Sequence, residues 1–150
     1  MSTTLNNVFD AALGCIQIKD PFEKAACTQT LYKRWLADEL DQVSCNEAER
    51  IINPGRPERP KLVSPRKVPK RSFHSEQGLT RLAHAITHIE FNAINLALDA
   101  VYRFRSMPHD YYSDWLRVAA EESSHFLMLE KYLEAVSYTH LRAHETSSMI

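Results

Sequence analysis

The chain has 150 residues, of which 44% are hydrophobic and 25% charged, and its formal net charge is −1. A single domain is expected at this length, and the balanced charge gives no global signal for binding nucleic acid or a lipid surface. Because the sequence has only three glycines and no alternating apolar and polar runs, it predicts an all-α fold.

Two helices are predicted near the N-terminus. A first helix is expected over about residues 3 to 18, where apolar residues recur every three or four positions. Asp20, Pro21 and Glu23 then mark a helix start, with an Asp N-cap, a proline in the first turn and an acid at the third position. We expect this second helix to end near Asp41. Its predicted apolar residues are Phe22, Ala26, Leu31, Trp35 and Leu40.

A third, short helix is predicted over residues 46–52. The segment NEAERII is followed by Asn53, Pro54 and Gly55, which stop a helix. This element completes the N-terminal helical region, which we place at residues 1–52.

The cysteines and the lack of a membrane segment bear on the cellular location. Cys15, Cys27 and Cys45 are odd in number and have no C-x-x-C spacing, so we interpret them as reduced, buried thiols. No apolar stretch approaches the roughly 18 residues of a membrane span, and the N-terminus does not resemble a signal sequence. We therefore expect a cytoplasmic protein that does not insert into a membrane.

Residues 53–75 differ in composition from the rest of the chain. Five of the seven prolines lie here, so the segment is expected to run extended. Its basic residues, against the single acid Glu58, are Arg56, Arg59, Lys61, Arg66, Lys67, Lys70 and Arg71. One interpretation is an arm that binds RNA or another polyanion. We favour a solvated strap across the helical body, because no aromatic residue is interleaved for base stacking apart from Phe73 at the edge.

Two long helices follow, helix A over about residues 75 to 105 and helix B from Pro108 to about residue 135, and we treat residues 76–135 as one helical pair. An apolar row on helix A is Leu82, Ile86, Glu90, Ala93, Ala97, Val101 and Phe104. The corresponding row on helix B is Trp115, Val118, Glu122, His125, Leu129 and Tyr132. An ionised carboxylate on such a row is costly unless it is paired or bound to a metal.

These two rows predict a metal site. Glu followed three residues later by His, with a lone Glu on the neighbouring helix, is the ligand pattern of di-metal four-helix bundles. Glu90, Glu122 and His125 are therefore the predicted ligands, and such a carboxylate-rich site suits iron or manganese. The competing interpretation places Glu90 or Glu122 at a helix-packing edge, hydrogen-bonded to Tyr or Arg neighbours.

The two motifs are expected at the same height along the helix pair. A short turn before Pro108 makes the helices antiparallel neighbours. Glu90 lies about 16 residues before the turn and Glu122 about 15 after it, and a helix rises about 1.5 Å per residue. We therefore predict that Glu90, Glu122 and His125 converge on one point.

Two further histidines on helix A offer a weaker alternative. His84 and His88 share a helix face at i, i+4, but that face is turned away from Glu90. We interpret them as packing groups, or as groups that orient a ligand by hydrogen bonding, with a separate two-His metal site as the alternative.

The end of the chain, residues 136–150, is interpreted as a non-native tail. The string VSYTHLRAHET, Val136 to Thr146, resembles the translation of a transposon-type sequencing-library adapter. The apolar periodicity of helix B also breaks after Ala135. We therefore set aside the zinc-helix pattern that His140, His144 and Glu145 would otherwise present.

Two blocks, RPERPKLVSPRKVPKRS and HAITHIEFNAINLALDAVYRFRSMPHDYYSDWLRVAAEESSHFLML, carry a resemblance to a family. Over roughly residues 5 to 135 the chain resembles the uncharacterised ferritin-like family numbered 455 in the domain-of-unknown-function series. The resemblance implies a ferritin-like helical bundle, truncated here to its N-terminal helices and the first core helical hairpin. It implies Glu90 as the lone ligand of one helix and Glu122 with His125 as the pair of the next. Intact members run on with two more core helices, whose further Glu and Glu-x-x-His have no counterpart here.

Three hypotheses for function follow from the motifs and the resemblance. The first is a di-iron oxidoreductase or oxygenase that uses oxygen and an unknown small-molecule substrate, with this fragment inactive. The second is a non-catalytic helical interaction domain, and the third is an RNA-modifying, hydroxylase-like protein with the basic strap as substrate arm. Since only three of the usual six ligands are present, we expect no di-metal site in the monomer, and self-association through exposed apolar faces.

Overall fold

Four α-helices pack as a bundle in the computed structural model, which describes residues 6–44, 46–58 and 75–147, with side chains as far as residue 137. In chain order they are α1 (Val8–Gln17), α2 (Pro21–Leu36), α3 (Glu76–Arg103) and α4 (His109–Ser147). Within the described ranges no strand is formed beyond one isolated bridge between Asn7 and Asp41. The predicted all-α fold is confirmed.

Three of the helices begin at capping side chains. Oxygens of Asn7, Asp20 and Ser75 accept a backbone N–H from the first turn at 2.9, 2.8 and 3.0 Å, respectively. Each cap satisfies a donor that the start of a helix leaves without an internal partner. The start of the second helix, predicted from Asp20 and Pro21, is confirmed.

The second helix ends earlier than predicted. It stops at Leu36 and not near Asp41, because Asp38 takes a left-handed backbone conformation with φ 55°. The Glu39 N–H then donates to the Arg34 carbonyl at 3.0 Å. This bond closes the carboxyl end of the helix, and the chain turns back towards the start of α1.

The buried face of α2 also differs from the predicted one. Ala26 is exposed and Phe22 is 52% exposed, whereas Lys24, Ala25 and Thr28 are buried. Spacing alone favoured the apolar Ala26 for this face. A lysine can take an interior position only when oxygens surround its ammonium group, and local sequence does not reveal those oxygens.

Residues 46–52 do not form the predicted third helix. The Glu49 N–H instead donates to the phenol oxygen of Tyr102 at 3.1 Å, and Ile51 packs against the core. A helix this short has a costly first turn and few internal hydrogen bonds to offset it. Contacts with α3 therefore outweigh the helical tendency of this segment.

Cys15 and Cys27 form a disulfide that joins α1 to α2, with Cα atoms 5.8 Å apart. The interpretation of the cysteines as reduced thiols is wrong for this pair, and Cys45 lies outside the described residues. The two cysteines are 12 positions apart and meet because α1 and α2 fold back on each other. Such a pairing has no short-spacing signature in the sequence.

The α3–α4 pair is an antiparallel hairpin. Near its turn the Tyr111 hydroxyl donates to the Ala100 carbonyl at 3.1 Å, and farther away the rings of Phe91 and Phe126 lie 6.1 Å apart. Residue numbers therefore fall along α3 as they rise along α4. This confirms the predicted orientation of helices A and B.

Helices α1 and α2 cover one side of this hairpin. Trp35 Nε1 donates to Ser113 Oγ at 2.8 Å, and Gln29 Nε2 donates to Ser124 Oγ at 3.1 Å, which fixes α2 on α4. The core between the four helices is fully buried and includes Phe9, Ile16, Ile94, Leu98, Tyr112 and Leu116.

The opposite side of the hairpin, which we call the open face, is less buried than the sequence predicted. Of the predicted rows, Ala97 and Val101 are buried, but Phe104 is 51% exposed, Trp115 37% and Tyr132 47%. The physical reason is that no helix among the described residues packs over this side. The core instead takes the neighbouring row of α3, which includes Phe91, Ile94 and Leu98.

Two predicted segments remain outside this description in whole or in part. Residues 59–74, most of the basic strap, lie outside the described residues. The α4 backbone continues past Ala135 to Ser147, while side chains from residue 138 onward are not described. The interpretation of residues 136–150 as a non-native tail therefore stays a prediction. Across the described ranges, no helix has the length and apolar character needed to cross a membrane.

Candidate metal centre

A hydrogen-bonded turn sets the register between α3 and α4. The Tyr112 hydroxyl donates to the Phe104 carbonyl at 2.8 Å and accepts from the Met107 N–H at 3.0 Å. Ser106 between them takes a left-handed φ of 59°, which reverses the chain within a few residues. Because the turn is fixed, the height of each residue along one helix is fixed against the other.

Glu90, Glu122 and His125 converge between the two helices. His125 Nδ1 lies 3.4 Å from Glu122 Oε2 and 3.8 Å from Glu90 Oε2. One ligand atom from each residue lies within 4.8 Å of the other two, and no second group of this kind occurs in the part of the chain that the structure describes. The convergence predicted from the heights of the two motifs is confirmed.

The cluster lies at the open face and is only partly buried. The exposed fractions of the side chains are 18% for Glu90, 24% for Glu122 and 48% for His125. Sequence periodicity placed the three residues on apolar rows of the kind that a helix buries. The carboxylates are instead reached by solvent from the side that α1 and α2 do not cover, which lowers the cost of leaving them ionised.

The two carboxylates interact strongly. A hydrogen bond with Glu122, followed by burial and by the charge of Glu122, raises the pKa of Glu90 to about 7, and His125 opposes this rise. Because the charge of Glu122 opposes ionisation of Glu90, Glu90 keeps its proton below about pH 7 in the absence of a cation. A divalent cation would replace that proton and remove the repulsion.

The donor atoms fit a metal ion. Ligands bound at about 2.0–2.2 Å around one ion are about 3–4 Å from each other, so the separations of 3.4 and 3.8 Å require little movement. Two carboxylates and one imidazole are a donor set suited to iron or manganese. Three ligands would leave coordination positions open, and a second ion would lack the further Glu and His of a complete di-metal site.

The other predicted histidines lie elsewhere. His84 is exposed and lines a cavity of about 510 Å³ with Phe22 and Glu130, while His88 is half-buried on the same helix. Neither belongs to the cluster of Glu90, Glu122 and His125. A separate two-His site therefore stays a prediction, and His140, His144 and Glu145 have no described side chains.

A buried polar group on the other side of α3, formed by Lys24 and Asn95, was not predicted from the sequence. Lys24 is 0% exposed and Asn95 is 6% exposed. The Lys24 ammonium donates to the carbonyls of Ile16 and Gly55 at 2.7 and 2.9 Å and to Asn95 Oδ1 at 2.5 Å. A signal was present, because Lys24 precedes Leu31 by seven residues, which puts both on one helix face.

The sequence matches the model of a family described as "Protein of unknown function (DUF455)" over residues 17–146, a range that includes most of the predicted tail. A curated relative, an uncharacterized protein of Haemophilus influenzae strain Rd, is 35% identical over 149 residues. The alignment covers 92% of this chain and 51% of the relative, so the chain spans about half the length of the relative that it matches. No solved structure matches the chain.

Proposed function

The chain belongs to the family described as "Protein of unknown function (DUF455)", and we propose that it is part of a ferritin-like, di-metal carboxylate protein. Iron is the proposed metal and manganese the alternative, since both accept carboxylate and imidazole ligands. The observation that carries the proposal is the approach of Glu90, Glu122 and His125 to within 4.8 Å from two different helices.

The proposal includes a second half of the site that this chain does not supply. Di-metal sites in four-helix bundles take four Glu and two His from four helices, and the cluster offers two Glu and one His. The chain corresponds to 51% of its relative, and apolar side chains such as Trp115 stand exposed beside the cluster. We propose that two further helices of the longer protein cover the open face and bring the remaining ligands.

The proposed reaction class is an oxidoreductase or oxygenase that acts on an unknown small-molecule substrate. Bound iron would supply the activation of oxygen. The residues of this chain would contribute ligation and proton storage, because Glu90 keeps its proton below about pH 7 in the metal-free protein. Metal binding must displace that proton, so we expect metal uptake to release protons and to weaken below pH 7.

Metal binding to the 150-residue chain tests the proposed ligands. We expect Mn²⁺ to bind, as measured by loss of the electron paramagnetic resonance signal of the free ion. Glu122→Gln and His125→Ala should each weaken binding about tenfold or more, because each removes one ligand of three. Glu121→Gln is the matched control, since Glu121 is the adjacent, exposed glutamate. Equal affinity of the Glu121→Gln and Glu122→Gln variants would contradict the proposal.

Metal content and native mass test whether the site is incomplete. After loading with iron and desalting, we expect fewer than two irons per monomer. Two irons per monomer would contradict the proposed missing half, whereas two per dimer would indicate that a second copy rebuilds the site around a two-fold axis.

A separate experiment tests the reaction class. The full-length protein loaded with iron should gain new optical absorption after exposure to oxygen. No change would favour the non-catalytic alternative.

Two alternatives remain as separate proposals. The exposed apolar residues of the open face, including Ile89 and Tyr132, favour a helical interaction domain. The RNA-modifying alternative depends on the basic residues of the strap, most of which lie outside the described residues. RNA binding that weakens steeply with salt would support this third function.

A further inference from the structure

A cavity of about 320 Å³ lies against α3, away from the candidate metal centre. It is a partly open pocket bordered by α3, the end of α1 and the segment around Pro54, and its apolar walls include Ile16 and Ile51. One of its polar residues, Asn95, is five positions from Glu90, which is about 140° around a helix. This cavity is therefore independent of the Glu90 cluster.

Gly55 fixes one wall of the cavity. The Gly55 N–H donates to the Ile16 carbonyl at 2.8 Å, and the approach is so close that a Cβ would collide with the backbone carbonyls of Gln17 and Ile18. Only glycine allows this contact. The neighbouring residue Arg56 is thereby held at the cavity.

Asn95 presents an unused donor at the cavity. Its Oδ1 accepts from the Lys24 ammonium at 2.5 Å, and because an ammonium group can only donate, the amide orientation is determined. The Asn95 Nδ2 group is buried and has no hydrogen-bond partner among the described residues, although the side chain is only 6% exposed. A buried donor without an acceptor is costly, so a ligand that carries an acceptor would relieve it.

Arg56 adds a second unused donor and a net positive charge. Its Nε atom is buried without a hydrogen-bond partner among the described residues. At the same cavity Arg103 pairs with Asp99 at 2.8 Å, so those two charges cancel. Burial, followed by the charge of Arg56, lowers the pKa of Lys24 to about 8, so the two cations are close enough to repel each other.

Glu58, the one acid in the segment that follows Arg56, is exposed to solvent. Residues 59–74 contain six basic residues and neither Asp nor Glu. Among the residues that line the cavity, Arg56 is left with one positive charge, which one negative charge on a separate molecule would balance. Apolar walls and two planar nitrogen donors favour a carboxylate with an apolar body over a multiply charged, strongly hydrated anion.

We propose that the cavity lined by Asn95, Arg56 and Ile51 binds a small organic monocarboxylate, whose oxygens accept from Asn95 Nδ2 and Arg56 Nε and whose apolar part lies against Ile16 and Ile51. The volume of about 320 Å³ lies at the lower end of the range of small-molecule sites. The site needs neither the metal nor the open face.

The test is a titration of the ¹⁵N-labelled chain with hexanoate, followed by heteronuclear NMR. The side-chain amide signals of Asn95 are identified as the pair absent from the Asn95→Asp variant. We expect these signals to shift on addition of hexanoate, and hexanol, which has the same apolar body without the charge, to bind at least about tenfold more weakly.

Two variants separate binding from folding. Asn95→Asp keeps the acceptor for Lys24 and removes the donor, and Arg56→Gln changes a residue outside the helices. Each should weaken hexanoate binding about tenfold or more, because each removes a charge-assisted or buried hydrogen bond. Arg117→Gln on the exposed side of α4 is the control and should bind normally. Hexanol binding as tightly as hexanoate, or an Arg56→Gln affinity within twofold of the parent chain, would overturn the proposal.

Discussion

The two sides of the α3–α4 hairpin use the same pair of helices but differ in what covers them. Towards α1 and α2, Ile94, Leu98 and Leu116 are each 0% exposed. On the open face, Ile89 is 64% exposed and Trp115 37% exposed, and the Glu90 cluster lies beside them. The fold and the candidate metal centre are therefore separable: the covered side holds the helices together, and the open face carries the cluster of Glu90, Glu122 and His125.

The largest expected effect comes from truncating the same residue type on each side of α3. Ile94→Ala should lower the free energy of unfolding by about 3 kcal/mol, because it leaves a cavity in the covered core. Ile89→Ala should change it by less than about 0.5 kcal/mol, since its side chain is already solvated. Urea unfolding of both variants measures the difference. Similar losses would mean that the open face is packed in solution, for example against a second copy.

The disulfide of the covered side gives the next largest effect. Reduction of Cys15–Cys27 should lower the free energy of unfolding by about 2–3 kcal/mol, because it frees a short loop in the unfolded chain. Thermal unfolding with and without a phosphine reductant measures this loss, and the Cys15→Ala/Cys27→Ala variant should not respond to reductant. Mn²⁺ affinity should stay unchanged on reduction. A parallel loss of metal affinity would contradict the separation of the two sides.

A smaller, pH-dependent effect is expected on the open face. Glu90 has an ordinary pKa of 4.5 and a folded value of about 7, so the folded state binds more protons between these values. The metal-free protein should therefore lose stability as pH rises from about 4.5 to 7, by on the order of 1 kcal/mol after allowance for solvent screening.

The Glu90→Gln variant should not lose stability as pH rises, whereas the Glu121→Gln variant should lose it as the parent chain does. Urea unfolding at pH 5 and pH 7 compares the two variants with the parent chain, and Mn²⁺ at pH 7 should restore the stability of the parent. If the pH dependence survives in Glu90→Gln, repulsion between Glu90 and Glu122 is not its source.

The smallest effect is expected at the far end of α4. Ending the chain at Ala135 should change the free energy of unfolding by less than about 0.5 kcal/mol, if residues 136–150 are a tail that was never selected to pack here. Thermal unfolding of the shortened chain provides the measurement. A loss above about 1 kcal/mol would contradict the adapter interpretation, and so would the same residues in a gene sequenced by an independent route.

The starts of α2 and α3 were predicted better than the end of α2, whereas α1 begins at Val8 and not near residue 3 as predicted. Asp20 and Ser75 are N-caps because their side chains bond to their own first turn, which is a local property. The end of α2 depends on the left-handed Asp38, and the missing helix at residues 46–52 depends on Tyr102, more than fifty positions away. Partners that distant leave no trace in local spacing.

The convergence of Glu90, Glu122 and His125 was predicted correctly, but the burial of these residues was not. The heights of Glu90 and Glu122 follow from residue counts on either side of a tight turn, so their convergence could be predicted. Helix α3, however, is apolar over a wide arc, with Ile89 on one side of Glu90 and Ile94 on the other. Periodicity cannot tell which part of such an arc another helix covers.

Lys24 restricts how three helices and the loop at Gly55 dock on each other. Its three N–H groups bond to the end of α1, to the loop at Gly55 and to Asn95 on α3, while the residue itself belongs to α2. A slip of α3 by one turn would carry Asn95 about 5.4 Å away and leave a buried cation short of an acceptor. Apolar residues tolerate such a slip because the hydrophobic effect does not depend on direction. One ammonium thus selects a single alignment of four chain segments from many that would bury similar apolar area.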